Sequence, residues 1–203
     1  MPRNASDTRE RLVDAGRTLF SRQGVYSTPL KAVVEAAGQR NPSALHYHFG
    51  SRAGLLNAIL DSHNSRIEVE RRAMLDAAGD TASLHDLVAA VVLPQARQLE
   101  LADGRCFLSI VSQLSDLFDR WEEGRTPEQA LRAFLGIKDR LSSTLTDSVR
   151  HERVTRFLEL VSQALGSRAR QINAGRTPAL AHAEWVDNLM AMATGAHIGR
   201  AHV

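Results

Sequence analysis

RERLVDAGRTLFSRQGVYSTPLKAVVEAAGQRNPSALHYHFGSRAGLLNAIL, residues 9–60, holds two helix starts of the same form, Thr28-Pro29 and Asn41-Pro42, and glycine stops at Gly24, Gly38 and Gly50. Apolar or small residues at Leu12, Ala15, Gly16, Leu19 and Phe20 follow the i, i+3, i+4, i+7, i+8 pattern of one helix face. Ser6 or Asp7 can cap that helix and Gly24 can end it, so a first helix is expected over roughly residues 7–23. Thr28 then offers a capping hydroxyl before a proline at the first helical position, and Leu30, Val33, Val34 and Ala37 form an inward stripe of about two turns ending at Gly38. After the Gln39-Arg40-Asn41 turn, Asn41-Pro42 opens a third short helix that stops at Gly50. Three short helices, the last two joined by a tight turn, make a helix-turn-helix.

Outward from this segment the helical period continues. Leu55, Leu56, Ile59, Leu60, His63 and Ile67 trace a long fourth helix ending near Gly79, and Leu84 to Val92 trace a fifth that Pro94 should kink or interrupt. Phe107, Leu108, Val111, Leu114 and Phe118 run on to Trp121, and a further helix restarts at Thr126-Pro127. The last two helices are expected near residues 148–172, with Val154, Phe157, Leu158, Val161 and Leu165, and 178–200, with Trp185, Val186, Leu189, Met190 and Ala193. No alternating strand pattern or repeat occurs, so the fold class is all-α with about nine or ten helices.

The whole chain has 203 residues and a net charge of +2, which by itself says little about partners. Its distribution says more. Residues 1–56 carry eight basic groups (Arg3, Arg9, Arg11, Arg17, Arg22, Lys31, Arg40, Arg52) and four acidic ones (Asp7, Glu10, Asp14, Glu35), hence +4, and the remainder is −2. A basic head on a slightly acidic body suits a nucleic-acid-binding module joined to something else. No apolar run approaches the ~20 residues of a membrane span, and a single cysteine, Cys106, excludes an internal disulfide, so a cytoplasmic protein with no membrane partner is expected. The eight histidines hold no H-E-x-x-H spacing, Cys106 has no cysteine partner for a zinc site, and neither a phosphate-binding glycine loop nor a nucleophile elbow occurs. No catalytic residue, metal or cofactor is expected.

Residues 9–60 resemble the DNA-binding domain of the TetR family of transcriptional regulators. The resemblance runs through Ala15 and Leu19-Phe20 in the first helix, Gly24, Thr28 at the start of the second, Ala37-Gly38 at the turn, Tyr47-His48-Phe49, and Ser51-Arg52 opening the fourth helix. Three positions depart from the family's commonest pattern: one extra residue between Gly38 and Phe49, arginine instead of lysine at position 52, and His46 where many members have tyrosine. The resemblance implies a helix-turn-helix DNA-binding domain, residues 1–56, followed by a helical effector-binding and dimerisation domain, residues 57–203.

In such a motif the second helix enters the major groove with its N-terminal residues near base edges, which makes Arg40, Asn41, Pro42, Ser43, Ala44 and His46 the candidate base readers. Arg40 can reach guanine, Asn41 can pair with adenine or simply cap the helix, and Ala44 can lie against a thymine methyl. Thr28, Tyr47, His48 and Arg52 are the candidate phosphate clamps, with a packed helix-end role open for His48. Leu45 and Phe49 belong to the core.

For the second half, the resemblance implies a homodimer through the last two long helices, a palindromic double-stranded DNA operator, repression, and release by a small hydrophobic effector. Candidate pocket residues are Cys106, Phe107, Ile110, Phe118, Trp121, Phe134 and Met190, although aromatic and methionine residues at helical spacing are more often core. An all-helical oligomeric scaffold or adaptor without DNA binding is the alternative reading. It leaves the basic stretch from Asn41 to Arg52 unexplained.

Overall fold

Local signals at the chain's turns set several of the helix ends. In the computed structural model, which describes residues 3–41, 43–114, 128–141 and 144–197, the regular structure is helical throughout the described residues. The head holds α1 (Arg3–Gln23), α2 (Leu30–Ala36) and α3 (Ala44–Phe49). The body follows with α4 (Arg52–Ala78), α5 (Leu84–Ala96), a 3-10 turn (Arg97–Glu100), α6 (Ala102–Val111), α7 (Glu128–Arg140), α8 (Asp147–Asn173) and α9 (His182–His197). Side chains close several N-termini: Ser51 Oγ accepts from the Gly54 N–H, Thr146 from Val149, and Ser83 and Asp86 form a reciprocal capping box.

Four sequence expectations need correcting. The first helix begins at Arg3, a full turn before the expected cap. Thr28 does not cap α2; Pro29 occupies the cap position, at φ −64° and ψ 133°, with no side-chain bond. Pro94 lies inside α5, and the helix tightens into the 3-10 turn only after Ala96. The expected continuation of α6 ends at Val111, while Phe118, Trp121 and the Thr126-Pro127 restart lie outside the described residues, as does Pro42.

Two apolar cores result. The head core joins Leu12, Phe20, Val25, Val33, Leu45, Leu55 and Ile59 with Ile110 and Leu114 from the body. The body core draws on Ile67 and Leu75 of α4, most of α5, Phe107 and Leu108 of α6, and the inner faces of α7, α8 and α9. The boundary expected at residue 56 therefore falls inside α4, which is one uninterrupted helix of 27 residues with a side in each core. Small residues let helices approach closely. A Cβ on Gly16 would press Leu55 Cδ2 at 2.9 Å, and one on Gly166 of α8 would overlap the Ser112 side chain.

Candidate nucleic-acid interface

The third helix is held from below and bare above. Leu45 is buried in the head core, Phe49 is half-buried against it, and the Arg9 guanidinium lies 5.3 Å from the centre of the Phe49 ring. That arrangement turns Ser43, His46 and Tyr47 outward, with Tyr47 82% exposed. Positive φ at Gly38 (68°) and Gly50 (70°), which glycine adopts without strain, reverses the chain before and after α3. Asn41 Oδ1 accepts the Ser43 N–H at 2.9 Å, so its carbonyl oxygen opens the helix, whereas Arg40 is exposed in the turn. Ala44 is half-buried, and His48 packs edge-on to Tyr47 with ring centres 5.0 Å apart. Arg9, Arg11, Arg22, Lys31 and Arg40 are all exposed on the head.

Two expected phosphate clamps face inward instead. Thr28 is fully buried, and its hydroxyl donates to the Gly24 carbonyl at 2.7 Å and more weakly to Leu19 at 3.4 Å. Arg52 is half-buried; its Nη1 donates to the carbonyls of Val25 at 2.6 Å and Thr28 at 2.7 Å, and the guanidinium sits over the Phe20 ring. Thr28 serves carbonyls at the end of α1, a task that a helix terminus leaves open, and Arg52 serves those of the connection that follows. Arg52 thus braces the α1–α2 connection from the start of α4.

Sequence reasoning missed Tyr26 and Gln113. Tyr26, 74% exposed, stands in the turn between two buried residues, Val25 and Thr28; an aromatic in a polar turn was the available signal. Gln113, just past α6, accepts the Val25 N–H through Oε1 at 2.9 Å and donates through Nε2 to Phe20 O at 3.2 Å and Ser109 O at 3.0 Å. Nothing in the periodicity of the chain marks it.

The pocket candidates among the described residues divide between the two cores, and Phe118 and Trp121 lie outside the described residues. Phe107, Phe134 and Met190 are buried in the body core, Ile110 belongs to the head core, and Cys106 is half-buried. Phe107 stacks on His63, a fully buried histidine of α4, with ring centres 4.8 Å apart. Nδ1 of His63 lies 3.2 Å from Gln98 Oε1 and 3.1 Å from Arg66 Nη2, while Nε2 has no hydrogen-bond partner among the described residues and lies 4.0 Å from Asp103 Oδ2. Burial pushes this imidazole below its ordinary value, against the opposing pull of the Gln98 hydrogen bond.

Comparison with known proteins agrees with this geometry. Residues 12–59 match the family described as bacterial regulatory proteins, tetR family. The chain is similar to the HTH-type transcriptional regulator AcrR of Shigella flexneri, 35% identical over 81 residues that make up 39% of this chain and 37% of that protein. It is also similar to the HTH-type transcriptional regulator UidR of Escherichia coli strain K12, 35% identical over 60 residues, 30% of each. The matched segment spans about a third of the length of these curated relatives. Over the longer course of the chain, a TetR-family transcriptional regulator from Rhodococcus sp. shares the fold, covering 95% of this chain and 99% of that one at 20% identity and a TM-score of 0.52. Members of this family are DNA-binding regulators and not enzymes. Head sequence and helical architecture agree: residues 12–59 are a helix-turn-helix segment of the tetR family of bacterial regulatory proteins, and the chain shares the fold of a TetR-family transcriptional regulator.

Proposed function

We propose that the protein is a dimeric repressor that binds a palindromic DNA operator and is released from it by a small hydrophobic ligand. The observation that carries the DNA-binding half is the short α3, fixed by Leu45 and Phe49, with Arg40, Ser43, His46 and Tyr47 turned to solvent. Arg40, the Asn41 amide, Ser43 and His46 are the base readers in this reading, with Ala44 beside them, and Tyr47, His48 and Tyr26 contact the backbone. Arg52 and Thr28 act behind them as supports.

A dimer is supported by the outer face of α9. Its exposed positions include Ala183, Asn188, Ala191, Met192 (50% exposed) and Gly195, and a Cβ on Gly195 would meet nothing. The same face carries Glu184 and Asp187 toward the start of the helix, and the small residues Ala191 and Gly195 beyond them suit close approach of a second helix. The apolar stripe of α8 is spent within the chain, and its exposed residues include Glu152, Arg156, Gln163 and Arg170. In this reading α9 therefore supplies the apolar contact and α8 the charged rim. Two-fold symmetry then sets the recognition helices about one DNA turn apart, ~34–36 Å.

In-vitro selection from random duplex DNA with the purified full-length chain tests the reading. Enrichment of a palindrome is expected, with affinity falling steeply as salt is added because neutralised phosphates release counterions. Recovery of no enriched sequence would overturn it and leave a helical scaffold.

A further inference from the structure

We propose that Gln113 is a positioning residue: it sets the orientation of the DNA-binding head on the body by gripping the backbone of Val25, and so fixes which half-site spacing the dimer accepts. The inference rests on the operator reading above and adds the residue through which body geometry reaches the head. Val25 is buried just past the end of α1 at Gln23, so its N–H lies outside the helix and needs a partner elsewhere. Gln113 Oε1 takes that N–H, Arg52 takes the Val25 carbonyl, and Gln113 Nε2 also holds Phe20 O at the end of α1. The two polar atoms of one residue are thus held by side chains from two different body elements.

The other end of the grip is fixed as well. Ser112, the neighbour of Gln113, lies against Gly166 of α8. Gln163 Nε2 donates to Ser112 O at 2.6 Å, and Arg170 Nη1 to Ser112 Oγ at 2.7 Å. Gln113 therefore stands on a backbone clamped to α8, and α8 packs on α9, which carries the face assigned to the dimer. Apolar contacts such as those of Ile110 and Leu114 with the head tolerate sliding by fractions of an ångström. Hydrogen bonds near 3 Å resist it, because they weaken with distance and angle. The polar grip is what turns a packed joint into one of defined angle.

The test uses the full-length protein, the selected operator, versions with one or two base pairs added or removed between half-sites, and a duplex carrying a single half-site. Gln113→Met removes both bonds to the head and keeps side-chain length; Gln113→Glu keeps an acceptor for Val25 and loses the donor to Phe20. The native protein is expected to reject the altered spacings. Gln113→Met should reduce that discrimination by about fivefold for each bond lost, leaving single half-site affinity and its salt dependence unchanged, with Gln113→Glu in between. If Gln113→Met does not fold, the Gln113→Glu spacing profile decides alone. A profile identical to the native one, or a loss of single half-site affinity equal to the loss on the full operator, overturns the role of Gln113. A native protein that selects no palindrome removes the operator reading and this inference together.

Discussion

Replacing Arg52 by methionine separates a brace from a phosphate clamp. Methionine keeps an unbranched apolar side chain and deletes the guanidinium, which sits over the Phe20 ring and whose Nη1 serves the carbonyls of Val25 and Thr28 at 2.6 and 2.7 Å. A hydrogen bond from a charged donor contributes about 1.5–3 kcal/mol, and a buried acceptor left unpaired costs about 1–3 kcal/mol. Arg52 is half-buried, so water can recover part of the loss, whereas Thr28 is fully buried. A net loss of about 2–4 kcal/mol follows, which in a chain of this size lowers Tm by roughly 5–15 °C. Thermal unfolding followed by far-UV circular dichroism, with denaturant midpoints beside it, reads the effect. DNA titrations at several salt concentrations complete the test, and the salt slope should stay as in the native protein. A Tm within about 2 °C of native, together with a salt slope reduced by about one, would refute the brace and restore a phosphate contact.

Gly54→Ala puts a methyl group onto the Phe49 carbonyl oxygen, a backbone atom that cannot swing away, so loss of operator binding with a lowered Tm is expected; an unchanged Tm would contradict the close approach. His63 is held neutral by burial, so its contribution is complete above the ordinary histidine value near 6.5 and is lost as pH falls below that toward its depressed native value. The native protein should accordingly lose more stability between pH 7.5 and 5.5 than His63→Gln, as read by urea midpoints; equal losses would place the acid sensitivity elsewhere. Arg40→Ala should reduce discrimination between the selected half-site and single-base variants by about 1–3 kcal/mol at one position, measured by competition at fixed salt, and uniform weakening on all sequences would make it a backbone contact.

The elements most legible in the sequence were those fixed locally. Asn41, Gly38 and Gly50 announce α3 because a capping amide and left-handed glycines act within a few residues of themselves. Thr28 was misread because the same hydroxyl can accept from an N–H ahead of it or donate to a carbonyl behind it, and only the packed end of α1 decides. The inward bonds of Arg52 were hidden for a similar reason: its charge is visible in sequence, but the carbonyls that it serves are 24 and 27 residues away. Gln113 acts across 88 residues and leaves no periodic trace. Phe107 and Ile110 share an apolar helix, but α6 runs between two cores and sends them to different ones, so helical period alone could not group a ligand pocket.

The hold on Val25 also bears on how such a protein can change its target. On the head side the gripped atoms are an N–H and a C=O, which every residue but proline possesses, so the joint does not depend on the identity of the solvent-facing residues around it. Tyr26, Arg40, Ser43 and His46 are free to diverge toward a new DNA sequence without loosening the connection to the body. Heads of altered specificity can therefore be exchanged onto this body as long as the incoming segment carries a non-proline apolar residue at position 25 and keeps the turn that presents it.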